Sequence, residues 1–210
     1  MKRFIIIIAV TSLLGAVRKP INLAIAKNDV ERYYESCEYA KEVKIVVQQA
    51  LKYFKTHHFE RGAVVIFDID DTLLSDYCEM KQLSFGFVPK LNHEWILKAV
   101  ADEVPHIKVL YDYCITAGYD IVLISGRNET EREATIKNLT NHGFTGFKQL
   151  ILRNSAEKNL TALAYKSAHR KELVASGAHI VGCIGDQLSD LRGGNTGYQV
   201  KIPNYMYIIE

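Results

Sequence analysis

The sequence predicts an α/β fold: a mostly parallel sheet flanked by helices, with a small cap insertion and a helical segment ahead of the first strand. Three observations carry this. The runs 63–67, 119–124 and 179–184 are short and apolar, as strands covered on both faces are. Polar residues stand at the end of each: Asp68 and Asp70, Ser125, and Asp186 with Asp190. Helical segments separate the runs, which is what parallel neighbours require.

The 210 residues suit one domain with a sizeable core, and 48% apolar with 24% charged residues excludes a disordered chain or a coiled coil. Lys2 and Arg3 precede the apolar stretch from Phe4 to Val17, which reads as a signal peptide over 1–26, with Ala24-Ile25-Ala26 as the cleavage motif. Cleavage nearer Ala16 and a retained membrane anchor are the alternatives. Removing 1–26 takes away Lys2, Arg3, Arg18 and Lys19 and no acid, turning a formal charge of +2 into −2. The mature part, 27–210, then has no basic surface for a nucleic-acid polymer and no stable membrane association. Cys37, Cys78, Cys114 and Cys183 allow three pairings, and the absence of C-x-x-C argues against a zinc ribbon or thioredoxin-like site.

Residues 28–57 have helical periodicity, as one long helix or two, ending at His57-His58, which reads as a solvated loop. Strand one is 63–68. The aromatic stretch from 75 to 104 breaks the strand–helix alternation and reads as a cap, with Asn92 capping a helix to about Val104 and Trp95 packing it. Asp76 and Tyr77 are candidates to border the pocket beneath. Pro105 opens the next helix, which closes at Gly118. After strand two, Asn128 or Thr130 caps a helix to about His142; strand three is 149–152 and a helix spans 167–176. Strand four is 179–184 and strand five 198–202. Gly193-Gly194-Asn195-Thr196-Gly197 lacks dinucleotide-binding spacing.

A parallel sheet brings its polar strand ends to one edge, where open α/β sheets bind ligands. Crowded carboxylates there suit phosphomonoester hydrolysis, because a divalent cation offsets their repulsion of an anionic substrate. Oxygen ligands with retained waters suit Mg²⁺. Asp68 can act as ligand and nucleophile, and Asp70 as leaving-group acid and then base, offering its backbone carbonyl to the metal. Ser125 can hold a phosphoryl oxygen. Asp186 completes the metal site, Asp190 can hold a metal-bound water, and Lys166 or Lys171 can neutralise the phosphate.

Asp68-Ile69-Asp70-Asp71-Thr72, Ser125 after Leu123-Ile124, and Gly185-Asp186 with Asp190 resemble motifs I, II and IV of the haloacid dehalogenase (HAD) superfamily. The stretches Phe67–Ser75, Ile124–Glu129, Tyr165-Lys166-Ser167, Ile180–Gln187 and Lys201–Tyr207 resemble its subfamily IIIB. That class B acid phosphatase-like branch includes plant vegetative storage proteins and secreted bacterial acid phosphatases. The resemblance implies a HAD-type, Rossmann-like fold and an exported, periplasmic or secreted, Mg²⁺-dependent acid phosphatase acting on small phosphomonoesters through an aspartyl-phosphate. It selects Lys166 over Lys171 and places Ser125, Gly126 and Lys166 on the substrate. Dehalogenating members lack the second motif I aspartate, so Asp70 favours phosphatase chemistry. A storage protein without turnover and a phosphotransferase are the rival readings. Thr72 is expected to orient Asp70, Asp71 to serve the turn, and Arg127 and Asn128 to cap a helix, with substrate contact as the alternative; no role falls to the scattered histidines.

Overall fold

The computed structural model describes residues 19–209; the apolar stretch from Phe4 to Val17 lies outside them. Two helices come first, α1 (Leu23–Glu35) and α2 (Cys37–Thr56). Ser36 breaks the run, its hydroxyl accepting the Glu38 N–H at 3.2 Å, so two helices replace one. Ala24-Ile25-Ala26 lies in the first turn of α1, capped by Asn22.

Five strands form a parallel sheet: β1 (Val64–Phe67), then, after the excursion described below, β4 (Asp120–Asn128), β5 (Gln149–Arg153), β6 (Ile180–Gly185) and β7 (Tyr198–Lys201). Their order is β5-β4-β1-β6-β7, with β1 at the centre. Side chains alternate across β1. Val65 and Phe67 join the core under α2 and under α5 (Ile107–Thr116), which includes Val43, Val47, Phe54, Leu110 and Tyr111. Val64 and Ile66 face the opposite cluster with Tyr165 of α7 (Ala162–Ala175) and Leu191 of α8 (Leu188–Leu191). Both faces are thus covered, which explains the unbroken apolar strands.

The excursion stands on a two-stranded antiparallel foot, β2 (Leu74–Ser75) and β3 (Asp102–Glu103), with Leu74 opposite Glu103. Between them lie α3 (Tyr77–Gln82) and α4 (Pro89–Lys98). Pro89 opens α4, because its fixed φ and missing N–H suit the first helical position. Asn92 therefore sits inside the helix rather than at its cap, and its Nδ2 donates to Glu79 Oε2 at 2.9 Å. The helix ends at Lys98 rather than Val104, with Ala99 in a left-handed conformation. His106, not the residue before Pro105, precedes α5. A 3₁₀ turn, Glu129–Glu131, leads into α6 (Arg132–Asn141). All four cysteines are free thiols, with Cys114 and Cys183 buried.

Gly197 has φ 59°, and a Cβ there would overlap the backbone of Val181 and Gly182 in β6. Gly197→Ala should cost about 3 kcal/mol, combining left-handed strain with overpacking. That corresponds to a fall of about 6–12 °C in the thermal unfolding midpoint. An unchanged midpoint would show that β7 yields easily.

Candidate active site

β1, β4 and β6 end side by side, and each delivers part of the site. Asp68 follows β1 directly, with its backbone N–H on the Ile184 carbonyl of β6 at 2.9 Å. The chain then turns so tightly that Ile69 O accepts from the N–H groups of Thr72, Leu73 and Leu74. Asp71 makes the turn at φ 51°, a conformation that Asp tolerates better than most residues. Its buried carboxylate accepts the Asp76 N–H at 3.0 Å and the Tyr207 hydroxyl at 2.6 Å. The turn role expected for Asp71 is what the geometry gives. Burial, with Asp186 nearby, pushes its pKa up to about 8.

Lys166 comes from the first turns of α7, which starts five residues earlier than the sequence suggests because Thr161 caps it. Its Nζ donates to Asp68 Oδ1 at 2.6 Å and to Asp190 Oδ1. All three side chains are buried. Burial pulls the ammonium pKa down, but Asp190 and Asp68 more than offset this and leave it above the ordinary lysine value. Burial, and after it the charge of Asp190, pushes Asp186 up to about 6.

Oxygens of Asp68, Asp186 and Asp190 lie within 4.8 Å of one another. Three formal negative charges face one ammonium, so the balance that remains matches a divalent cation, and oxygen-only donors suit a hard one. These residues fit such an ion. The carboxylate of Asp70 stands apart from this group.

Asp70 is instead held by Arg127, whose Nε and Nη2 reach Asp70 Oδ1 at 2.9 and 2.6 Å while Nη1 reaches Thr135 at 3.1 Å. Arg127 thus lines the pocket beside Asp70, and its side chain does not cap the helix that follows. Ser125 donates to Asp70 Oδ2 at 3.3 Å and accepts the Arg127 N–H at 3.1 Å. It is fully buried, whereas Gly126 lines the pocket. Thr72 reaches Asp186 Oδ1, at 3.4 Å, instead of orienting Asp70. The signal for Arg127 was strand length. β4 runs on to Asn128, so Ser125 and Arg127 share a face by period-two alternation.

The pocket above these groups measures about 490 Å³, and Met80, Phe85, Phe87, Pro89 and Ile96 of the cap form its apolar wall. Asp76 borders it, and its Oδ1 has no hydrogen-bond partner. Tyr77 turns away to stack on Tyr34. His93 bonds Glu131 at 2.6 Å and so ties α4 to the 3₁₀ turn. Another cleft, about 590 Å³ along Leu97 and residues 129–137, holds none of the strand-end carboxylates.

Residues 19–210 match the family described as HAD superfamily, subfamily IIIB (acid phosphatase). The chain belongs to this family. The enzyme is a phosphomonoesterase by that membership, and a curated relative named acid phosphatase 1, from Solanum lycopersicum, is 35% identical over 186 residues, 86% of this chain and 73% of that one. A Glycine max relative named stem 31 kDa glycoprotein is 36% identical over 183 residues, covering 85% of this phosphatase and 72% of that protein. The fold also matches a crystal structure of a class C acid phosphatase from Bacillus anthracis with tungstate bound. The TM-score is 0.69 at 24% identity, covering 89% of this chain and 85% of that one.

The Arg127–Asp70 pair can be weighed by a double-mutant cycle. Arg127→Met and Asp70→Asn in denaturant unfolding should give a coupling of about 1–3 kcal/mol, because the guanidinium is buried and the carboxylate only partly exposed. Additive effects would show that the contact contributes no stability.

Proposed function

We propose that this acid phosphatase hydrolyses small phosphomonoesters by nucleophilic attack of Asp68 on phosphorus; Asp68, Asp186 and the Asp70 backbone carbonyl would hold Mg²⁺, and Asp190 would orient a water beside it. The observation that carries this reading is the buried Asp68–Lys166–Asp190 arrangement beside Asp186, at the base of a pocket that a substrate can enter. Mg²⁺ would offset the mutual repulsion of these carboxylates and the substrate, and polarise a phosphoryl oxygen.

The protein's own groups divide the work. Lys166 occupies Asp68 Oδ1, which leaves Oδ2 as the attacking oxygen. As the Asp68 oxygen–phosphorus bond forms and the bond to the leaving oxygen breaks, that oxygen takes the proton Asp70 carries once the phosphate has drawn Arg127 away from it. In the second step Asp70 takes a proton from water, the water oxygen bonds to phosphorus, and Asp68 is released with inorganic phosphate. Arg127 lines the pocket beside Asp70, so the incoming phosphate competes with Asp70 for it. Ser125 and Gly126 hold a phosphoryl oxygen, as does Lys166. The apolar cap wall receives the leaving group.

Export is part of the proposal, to the periplasm or outside the cell, and rests on Lys2, Arg3 and the apolar stretch behind them. Cleavage after Ala26 would remove the Asn22 cap and start α1 at Lys27. No helix of the described residues is long and apolar enough to cross a membrane. The intact set of Asp68, Asp70, Ser125 and Asp186 favours turnover over a storage role.

Asp68→Asn should lower p-nitrophenyl phosphate hydrolysis by about 10⁴-fold or more while leaving the circular dichroism spectrum unchanged. Wild-type turnover in this variant would remove Asp68 as nucleophile. EDTA should abolish hydrolysis and added Mg²⁺ restore it; activity that persists in chelator would remove the cation from the mechanism. Glycerol phosphate among the products, when glycerol is supplied, would mark a phosphotransferase instead.

A further inference from the structure

The segment after β7 folds back onto the acidic centre. Asn204 Nδ2 donates to Asp186 Oδ2 at 2.7 Å, and Gln187 Nε2 donates to the same oxygen at 2.6 Å. The other end of each amide is engaged by this segment's backbone. Asn204 Oδ1 accepts the N–H of Met206 at 2.8 Å, and Gln187 Oε1 accepts the N–H of Ile209 at 2.9 Å. Only the oxygen end of an amide can accept an N–H, so the orientation of both side chains is fixed chemically. Their NH₂ groups have no choice but to face Asp186.

We propose that residues 204–209 form a clamp on Asp186, with Asn204 and Gln187 as positioning residues that select which of its oxygens meets the cation. This rests on the reading of Asp186 as a metal ligand. Two donors occupy Oδ2, whereas among the described residues Oδ1 has only the longer Thr72 contact at 3.4 Å. Oδ1 therefore keeps a lone pair for the group that Asp186 forms with Asp68 and Asp190. Groups behind a metal ligand fix its orientation in this way, and their loss typically weakens metal binding about 10–100-fold.

The clamp is itself anchored at several points. The Ile202 N–H bonds the Gly185 carbonyl at 2.9 Å, joining the segment's start to the end of β6. The Tyr207 hydroxyl bonds Asp71, and the Tyr205 N–H bonds the Tyr34 hydroxyl at 3.3 Å. Pro203 and Met206 are buried. The segment thus spans from the sheet edge to the motif I turn and to α1, with Asp186 beneath it.

The test is calorimetric titration of Mg²⁺ into the whole protein, with thermal unfolding measured with and without the ion. Asn204→Ser retains an oxygen for the Met206 N–H, so the turn survives, but the shorter side chain cannot reach Asp186. It should weaken Mg²⁺ binding about tenfold or more, with little change in the metal-free unfolding midpoint, and saturating Mg²⁺ should recover most of kcat. Gln187→Met fills the same space without a donor and should act in the same direction. It decides the matter if Asn204→Ser fails to fold. Mg²⁺ affinity within twofold of wild type in the clamp variants, alongside lost binding in Asp186→Asn, overturns the clamp alone. Undiminished binding in Asp186→Asn overturns the metal reading and the clamp together.

Discussion

The site depends on one buried ammonium. Asp68, Asp186 and Asp190 converge because two neighbouring parallel strands, β1 and β6, end at one sheet edge and the short α8 follows β6 directly, and carboxylates so close together repel. Lys166 bridges two of them and makes the cluster tolerable in the folded chain. Much of the local architecture serves to bring that lysine in. Thr161 starts α7 early enough to reach the centre, and Arg170, one turn further on, anchors the same helix to the carbonyls of Asp190 and Gly194. Asp68, Lys166 and Asp190 are therefore a single mechanical unit.

A second charge pair stands beside the first group. Arg127 and Asp70 face each other across the ends of β4 and β1, separate from the lysine-centred group. Asp68 and Asp70 are two residues apart, yet they contact cations from different elements. That separation is what the proposed division of roles requires, one carboxylate at phosphorus and one at the leaving oxygen.

The sheet and its acidic edge were legible in the sequence because strand hydrophobicity is a local property and polar residues at strand ends interrupt it visibly. Asp68, Asp70, Ser125 and Asp186 lie where that reasoning puts them. Lys166 was not separable from Lys171 by local pattern, since the choice turns on where α7 begins, and only resemblance to a known family selected it. For Arg127 the sequence favours helix capping over substrate contact, because a strand read as ending at Ile124 lacks the alternation that links Arg127 to Ser125. Thr72 was misassigned for a different reason. Its partner, Asp186, is 114 residues away, and nothing local indicates such a contact. Asn204 escaped notice in the same way, its role existing only after the segment folds back.

The antiparallel foot of β2 and β3 brings the entry and exit of the cap to the same point on the core. A segment whose two ends meet can be lengthened, shortened or exchanged at little cost in chain entropy, and without moving the strand that precedes it. The acidic strand-end centre and the apolar cap wall are therefore separable inheritances. Within this architecture, residues 76–101 can be exchanged to reshape the wall of the pocket while the carboxylates beneath stay in place.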